Sequence, residues 1–581
     1  MRLKKSTSKN SISLYVIKDI EVKGKRTTKI VEKLGTVAQL KDKLDGADPF
    51  EWADTYIKEL NLKEKTKKQE IIVKCSPSKQ IIKGKQTSFN GGYIFLQKIY
   101  HELELNKICK EISQKYKFTF DLDTILSRLI YGRVLFPASK LATFELSNKF
   151  IEQTDFELQH VYRSLEVISN EMDFIQSQLY KNSLKNNKRN TGVLYYDCTN
   201  FFFEIEQGEG LKQYGVSKEH RPNPIVQMGL FMDGDGVPLA FCINKGNTNE
   251  QVTLLPLEEK ILSDFELSKF IVCTDAGLSS NANRLFNTKG QRAFITTQSI
   301  KKLKKYQKEW ALEDTGWRLQ KDETKYDLSQ VNEILEKTTD PTVIKAWYSK
   351  VFYKERWINE NGIEQRLIVT YSFKYRDYHR NIRQKQIDRA QTKIDSDPAS
   401  IGKSRQTDFK RLIKTTTCTK EGEVATKKIH KINSETINKE ALYDGFYGVC
   451  TNLEEDISEI IKINKQRWQI EDCFRIMKSE FKARPVYLSR DDRIQAHFVT
   501  CFISLIIYRL LEKKLDYKYT CSEIISTLRG MDLHEVYGEG YMPTYTRTDI
   551  TDDLHEVFGF RTDMQIIKNK DMKKIIKETK K

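Results

Sequence analysis

In helical form, one edge of the segment DISEIIKINKQRWQIEDCFRIMKSEF, residues 456–481, presents one carboxylate, Glu471, among several cations. Read as a helix from about Ser458 to Phe481, with about 100° between successive residues, it puts Ile463, Ile470, Phe474, Met477 and Phe481 on one stripe. Asn464, Arg467, Glu471, Arg475 and Lys478 fall beside that stripe. A carboxylate so placed can bind a divalent cation while its basic neighbours hold phosphates, the combination phosphoryl transfer on nucleic acid requires. The same pattern also describes an ordinary exposed face with i,i+4 pairs such as Arg467 with Glu471. Two further acids stand where apolar runs end: Asp197 after Gly-Val-Leu-Tyr-Tyr, and Asp275 after Phe-Ile-Val-Cys-Thr. Each alone reads equally as a turn former or helix cap. Three carboxylates converging at one sheet edge would suit Mg²⁺ or Mn²⁺, which prefer hard oxygen donors.

The elements that must carry these residues follow from periodicity. GVLYYDCTNFFFEIE, PIVQMGLFMD and PLAFCINKGN are short β-type runs separated by turn residues, and KFIVCTDAGLSSNAN reads as a strand, a turn and a helix. A mixed sheet with helices, α/β in class, is expected. Ahead of it, residues 1–85 open with SLYVIKDIEV and TKIVEKLG around the turn KGKRT, a hairpin signal, followed by a helix near Trp52 to Leu62. Residues 86–190 show apolar spacing of three and four, hence helices, which would suit a DNA-binding region and equally an ordinary helical domain. The sheet pattern occupies 191–300. From 301 to 435 an insertion is expected to be rich in strands, including IKAWYSKVFYKERW and QRLIVTYSF, with a charged helix from about Asp377 to Ile394. Residues 436–515 return to a buried strand, YDGFYGVCTN, and the long helix; 516–581 read as a helical tail ending in a basic amphipathic segment.

Composition narrows the partners. A formal charge of +18 over 581 residues favours a polyanion, because Lys and Arg displace counterions from phosphates. The ten cysteines are scattered without a CxxC pair, which points to reduced thiols rather than a disulfide frame or zinc site. No signal-peptide pattern opens the chain, and the apolar run Phe498 to Leu511, interrupted by Arg509, is too short to span a bilayer, so a soluble cytoplasmic protein is expected. Neither a G-x-S-x-G nucleophile motif nor a phosphate loop of the G-x-x-x-x-G-K-[ST] type occurs, and the eight histidines do not cluster.

The spacing Arg467-x3-Glu471-x6-Lys478 matches the R-x3-E-x6-K part of the YREK signature, and the chain resembles bacterial DDE insertion-sequence transposases of that branch over about residues 190–515. YYDCTNFFFE, KGNTNE, TDAGLSS and YDGFYGVCTN are similar to blocks of that family. The signature tyrosine is replaced by Asn464, so its contact with a DNA end must be lost, taken over by Asn, or supplied from elsewhere.

The resemblance implies an RNase H-like core interrupted by the 301–435 insertion, with Asp197 on the first strand, Asp275 after the fourth and Glu471 on a helix behind them. It implies two Mg²⁺ ions, replaceable by Mn²⁺, held by these three acids; cleavage at the element end leaves a 3′-OH, which then attacks target DNA. Arg467 and Lys478 would orient phosphates, with Asn464 and Arg475 as further DNA contacts. Trp347 and Trp357 in the insertion could stack on a displaced base, or simply alternate on strands. Implied partners are double-stranded DNA, as terminal inverted repeats and target, and a second copy of the chain in a synaptic complex, with no membrane, in a bacterial cytoplasm at the nucleoid. Two other readings use the same residues: a nuclease that cuts without joining, and a transposase-derived DNA-binding protein.

Overall fold

The computed structural model describes all residues except 9–10, 23–24, 45–46, 68–70, 72, 74–75, 399–400, 402–407 and 419–423. The chain divides into two compact units, residues 1–87 with 536–540, and residues 88–535 with 541–581. In the first unit the expected hairpin pairs Ser11–Val22 with Lys25–Thr36, part of its turn lying outside the described residues, and Arg2–Ser8 adds a third strand. Thr36 accepts from the Gln39 amide and so caps the next helix, and Leu14, Leu40 and Ala53 are buried together.

The second unit is built on a ten-stranded mixed sheet. Its strands in chain order are β1 (Val193–Phe202), β2 (Ile225–Asp233), β3 (Pro238–Lys245), β4 (Phe270–Thr274), β5 (Arg292–Gln298), β6 (Trp317–Leu319), β7 (Asp322–Tyr326), β8 (Phe352–Glu360), β9 (Ile363–Tyr371) and β10 (Phe446–Thr451). Across the sheet they run β7-β6-β8-β9-β10-β5-β4-β1-β2-β3. β1, β4 and β5 are parallel neighbours, and the remaining pairings are antiparallel. Seven helices matter below: α1 (Leu122–Leu135), α2 (Lys140–Leu146), α3 (Leu158–Asn170), α4 (Pro341–Tyr348), α5 (Ile457–Gln466), α6 (Trp468–Ser479) and α7 (Asp491–Lys514).

β1 is covered on both faces, which is why it reads as a nearly continuous apolar run. Leu194, Tyr196 and Cys198 pack toward the helix Leu254–Asp264, whereas Tyr195 and Phe201 join the larger core that includes α5, α6 and α7. Gly229 lies opposite Cys198, where a Cβ would stand 2.2 Å from the Tyr196 hydroxyl. α7 is by length and composition apolar enough to cross a membrane, yet 94% of its most apolar window is buried inside the protein. Its Arg509 is spent internally, donating to the Gly236 carbonyl at 2.9 Å and pairing with Glu512.

Three expectations change. The 301–435 segment is mixed rather than β-rich: it holds several helices, and β6 to β9 extend the central sheet, β9 pairing directly with β10. IKAWY is helical, as α4, because Asp340 caps it and Pro341 supplies its first turn; the strand begins only at Phe352. Residues 516–581, expected as a helical tail, also contribute strands and pack on the rest of the unit. Asp532 and Leu533 pair with Asn90 and Phe89, and the helix Asn569–Thr579 buries Met572 and Thr579.

The polar stretch before β1 also does more than link. Arg189 donates to Asp233 at 2.6 Å, both side chains being buried, and to the carbonyls of Val237 and Pro238 at 3.0 and 2.9 Å. Asp233 in turn accepts from the amides of Asp235 and Val237, closing the β2–β3 turn. Removing one partner of such a pair leaves an uncompensated buried charge. Arg189→Met is therefore expected to lower unfolding stability by about 3–5 kcal/mol in a urea titration, and a loss under ~1 kcal/mol would show that the clasp does not hold the turn.

Candidate active site

Parallel pairing sets Tyr196 of β1 opposite Thr274 of β4, so the next residues, Asp197 and Asp275, leave the strand pair side by side. Side chains alternate along β1, and Tyr195, Asp197 and Thr199 therefore share the face that α5 and α6 cross. Each meets a different point of those helices. The Tyr195 hydroxyl donates to the Ile463 carbonyl at 2.8 Å, Asp197 lies within electrostatic reach of Arg467, and Thr199 receives a 2.8 Å hydrogen bond from Lys478 Nζ.

The single long helix expected from the sequence is interrupted at Arg467. The Ile463 carbonyl is engaged by the Tyr195 hydroxyl, and the Arg467 amide turns to the Asn464 carbonyl at 3.4 Å instead. A side chain entering the helical ladder opens it at that step. Past the interruption the expected stripe is buried at Ile470, Phe474, Met477 and Phe481, whereas Ile463, before it, is only partly buried against the same core.

Arg467 stands between the acids. Its guanidinium lies 4.0 Å from Asp275 and 3.6 Å from Glu471, its Nε is buried without a hydrogen-bond partner, and its side chain is only 18% exposed. Glu471, one turn on, has a side chain 61% exposed, and Asp275 one 48% exposed whose Oδ1 accepts from the Ala276 amide at 2.7 Å. Asp197 is the enclosed member. Burial pushes its carboxyl up to about 6; Lys218, the Cys198 amide and Arg467 offset part of the effect and Asp275 adds to it.

The all-oxygen donor set of Asp197, Asp275 and Glu471 fits a hard divalent cation. Among the described residues no three acids, histidines or cysteines stand close enough to hold a metal as they lie; Arg467 is the counter-ion between them.

Lys478 pairs with Glu219 at 3.2 Å, Arg484 pairs with the same Glu219, and burial lowers the Lys478 ammonium despite that partner. The other sequence candidates are placed elsewhere. Asn464 points inward, donating to the Tyr447 hydroxyl at 3.1 Å, and Arg475 pairs with Asp472 at 2.6 Å away from the acids. Trp347 belongs to the core of the 301–435 segment, stacked on Phe352 at 6.2 Å with Lys350 over its ring, while Trp357 is 46% exposed on β8.

Sequence reasoning missed Lys218, Glu219 and Glu250. Lys218 donates to the Cys198 carbonyl and pairs with Glu250 at 3.1 Å; burial lowers its ammonium, but Asp197 and Glu250 outweigh that and raise it. No periodic pattern marks these residues, since they come from loops. It also missed a cavity of about 600 Å³ beside the helix break, where Tyr375, Tyr378, Tyr447 and Trp468 meet Arg467 and Glu471. Tyr447, on β10, hydrogen-bonds Thr297 at 2.8 Å as well as Asn464.

A carboxyl whose folded pKa is raised binds more protons folded than unfolded between about pH 4 and pH 6. Its contribution to stability is thus fully present below the unfolded value and lost as pH rises through 6; the ionised form then costs on the order of 1–2 kcal/mol in this partly solvated cleft. In calorimetry with chelator present, Asp197→Asn is expected to raise Tm by a few degrees at pH 7.5, with the gain shrinking as pH falls through 6. An unchanged or lower Tm at pH 7.5 would contradict the strained carboxyl.

No curated protein matches the chain. A solved structure, the piggyBac transposase synaptic complex with hairpin DNA, is similar over 84% of this chain and 84% of that one, with 8% identity and a TM-score of 0.34. A family described as "Transposase DDE domain" matches residues 202–507, more than half of the chain. The span contains Asp275, Arg467, Glu471 and Lys478 and begins just after Asp197. On that match, the chain belongs to the DDE transposase domain family.

Proposed function

We propose that this protein is the cut-and-paste transposase of a bacterial insertion sequence of the YREK branch, binding terminal inverted repeats, cleaving the DNA ends and joining their 3′-OH groups to target DNA. The observation that carries the reading is the juxtaposition of Asp197, within β1, and Asp275, just past the end of the neighbouring parallel strand β4, with Glu471 reached through the shared contact of Arg467. The core is read as RNase H-like, with the first acid on its first strand and the second after its fourth.

Asp197, Asp275 and Glu471 would hold two Mg²⁺ ions, replaceable by Mn²⁺, which when bound supply positive charge to the scissile phosphate and acidify the attacking water or hydroxyl. The chain's own residues do the rest. Arg467, with an unpartnered buried Nε, has a donor to give to a phosphate oxygen once the acids have another counter-charge. Lys478, fixed by Thr199 and Glu219, presents a positive charge on the same face of β1. The Tyr447 hydroxyl, held by Asn464 and Thr297, stands in the cavity with Arg467 and Glu471, so the tyrosyl group missing at position 464 is supplied from β10. That cavity, with Tyr375, Tyr378 and Trp468 on its walls, is better placed than Trp347 or Trp357 to stack on an unpaired base, and those two remain contacts for DNA farther from the cut. Residues 86–190 would recognise the repeats, and two copies of the chain would hold two ends together in a cytoplasmic, nucleoid-bound complex.

With Mg²⁺, a labelled element end and a target plasmid, the wild type is expected to cut and join, whereas Glu471→Gln binds DNA but loses both steps by at least about 10³-fold. Cutting without joining in the wild type would make the protein a nuclease; cutting that survives in Glu471→Gln would remove Glu471 from the site.

A further inference from the structure

A second cavity, of about 260 Å³, lies where the helical region meets the chain leaving α6. Four cations line it: Arg133 from α1, Lys140 from α2, and Lys482 and Arg484 from the segment after α6. No aspartate or glutamate is among its lining residues, and Tyr162 of α3 and the exposed Tyr487 complete its walls.

The cations are not all spent on the protein. Arg133 gives its two terminal nitrogens to the carbonyls of Phe481 and Ala138, at 3.0 and 3.2 Å, but its Nε is buried without a partner. Arg484 is held by Glu219, with its Nε likewise unpartnered. Lys140 is 5% exposed and, among the described residues, makes no hydrogen bond or ion pair. Burial and the neighbouring Arg133 lower its ammonium to about 7, the Cys501 thiol of α7 opposing them. His497, also from α7, contributes no positive charge, because burial and the same cations keep it far below the usual histidine range while its Nε2 faces the Ala483 carbonyl.

A buried lysine without an anion is a cost to the fold, and cations gathered around an open cavity with no acid in its wall repel one another until an anion enters. The chain Arg484–Glu219–Lys478 connects this cavity to the candidate active site, so an anion seated here shares Arg484 with the ion pairs that fix Lys478.

We propose that this cavity binds a backbone phosphate of the DNA substrate, with Lys140 as its central donor and Arg133, Lys482 and Arg484 around it. The proposal rests on the DNA-binding reading above and adds a specific seat for the strand on the flank of the catalytic cleft. A lysine used this way is a phosphate contact, not a catalytic residue, and it carries no base specificity.

The test uses the full chain and a labelled duplex, with affinity measured across a salt series for wild type, Lys140→Met and Lys140→Arg. Losing one phosphate contact lowers the slope of log K against log salt by about 0.9, which amounts to roughly eightfold in affinity at 0.1 M salt. Lys140→Met is expected to show that loss and, having shed a buried unpaired charge, to melt at a higher temperature than the wild type. Lys140→Arg should retain most of the wild-type affinity. Lys140→Met with wild-type affinity and slope would overturn the proposal while leaving the transposase reading intact. A wild type that binds no duplex would overturn both; if inorganic phosphate then stabilised the wild type but not Lys140→Met, the cavity would be a free-phosphate site rather than a DNA contact.

Discussion

Parallel pairing of β1 with β4 brings two carboxylates to one place, Asp197 enclosed within its strand and Asp275 just past the end of the other, and the basic residues around them answer that gathering of acids. The β1–β4 register leaves no freedom in the matter: Tyr196 against Thr274 forces Asp197 beside Asp275. A counter-charge has to be brought in, and it arrives on a helix. Arg467 reaches Asp275 and Glu471 because α5 and α6 are opened at that residue, and they are opened because the Tyr195 hydroxyl, two residues from Asp197 on the same strand face, holds the Ile463 carbonyl. The strand that carries the first acid thereby also shapes the helix that carries the third.

The surrounding fold encloses this arrangement on several sides. β1 is sandwiched between two cores, α7 runs almost wholly buried beneath the sheet, and the Arg189–Asp233 clasp locks the β2–β3 turn next to it. The 301–435 segment strengthens this frame by continuing the sheet through β6 to β9, which also brings Tyr375 and Tyr378 to the cavity beside Glu471.

The parts legible in the sequence are those written in local periodicity. Ile470, Phe474 and Met477 recur at helical spacing and are buried, and the run ahead of Asp275 is a strand that ends before it, whereas the strand begun ahead of Asp197 runs on through that residue to Phe202, because its apolar run resumes at Phe201. What escaped depends on contacts between distant segments. The opening at Arg467 needs Tyr195; the inward turn of Asn464 needs Tyr447; and Lys218 and Glu219 come from a loop with no pattern at all. IKAWY was misread because its β-like composition outweighed the Asp340-Pro341 start signal, and the last residues because pairing with Phe89 and Asn90 spans almost the whole chain.

The central claim is that Asp197, Asp275 and Glu471 form one divalent-cation centre with Arg467 as its resting counter-ion. Electron paramagnetic resonance of free Mn²⁺ during titration into the full-length protein tests it most directly, comparing wild type with Asp275→Asn. Saturable uptake by the wild type that is abolished in the variant is the predicted result. Uptake equal in both proteins, or none in the wild type even with DNA present, would contradict it.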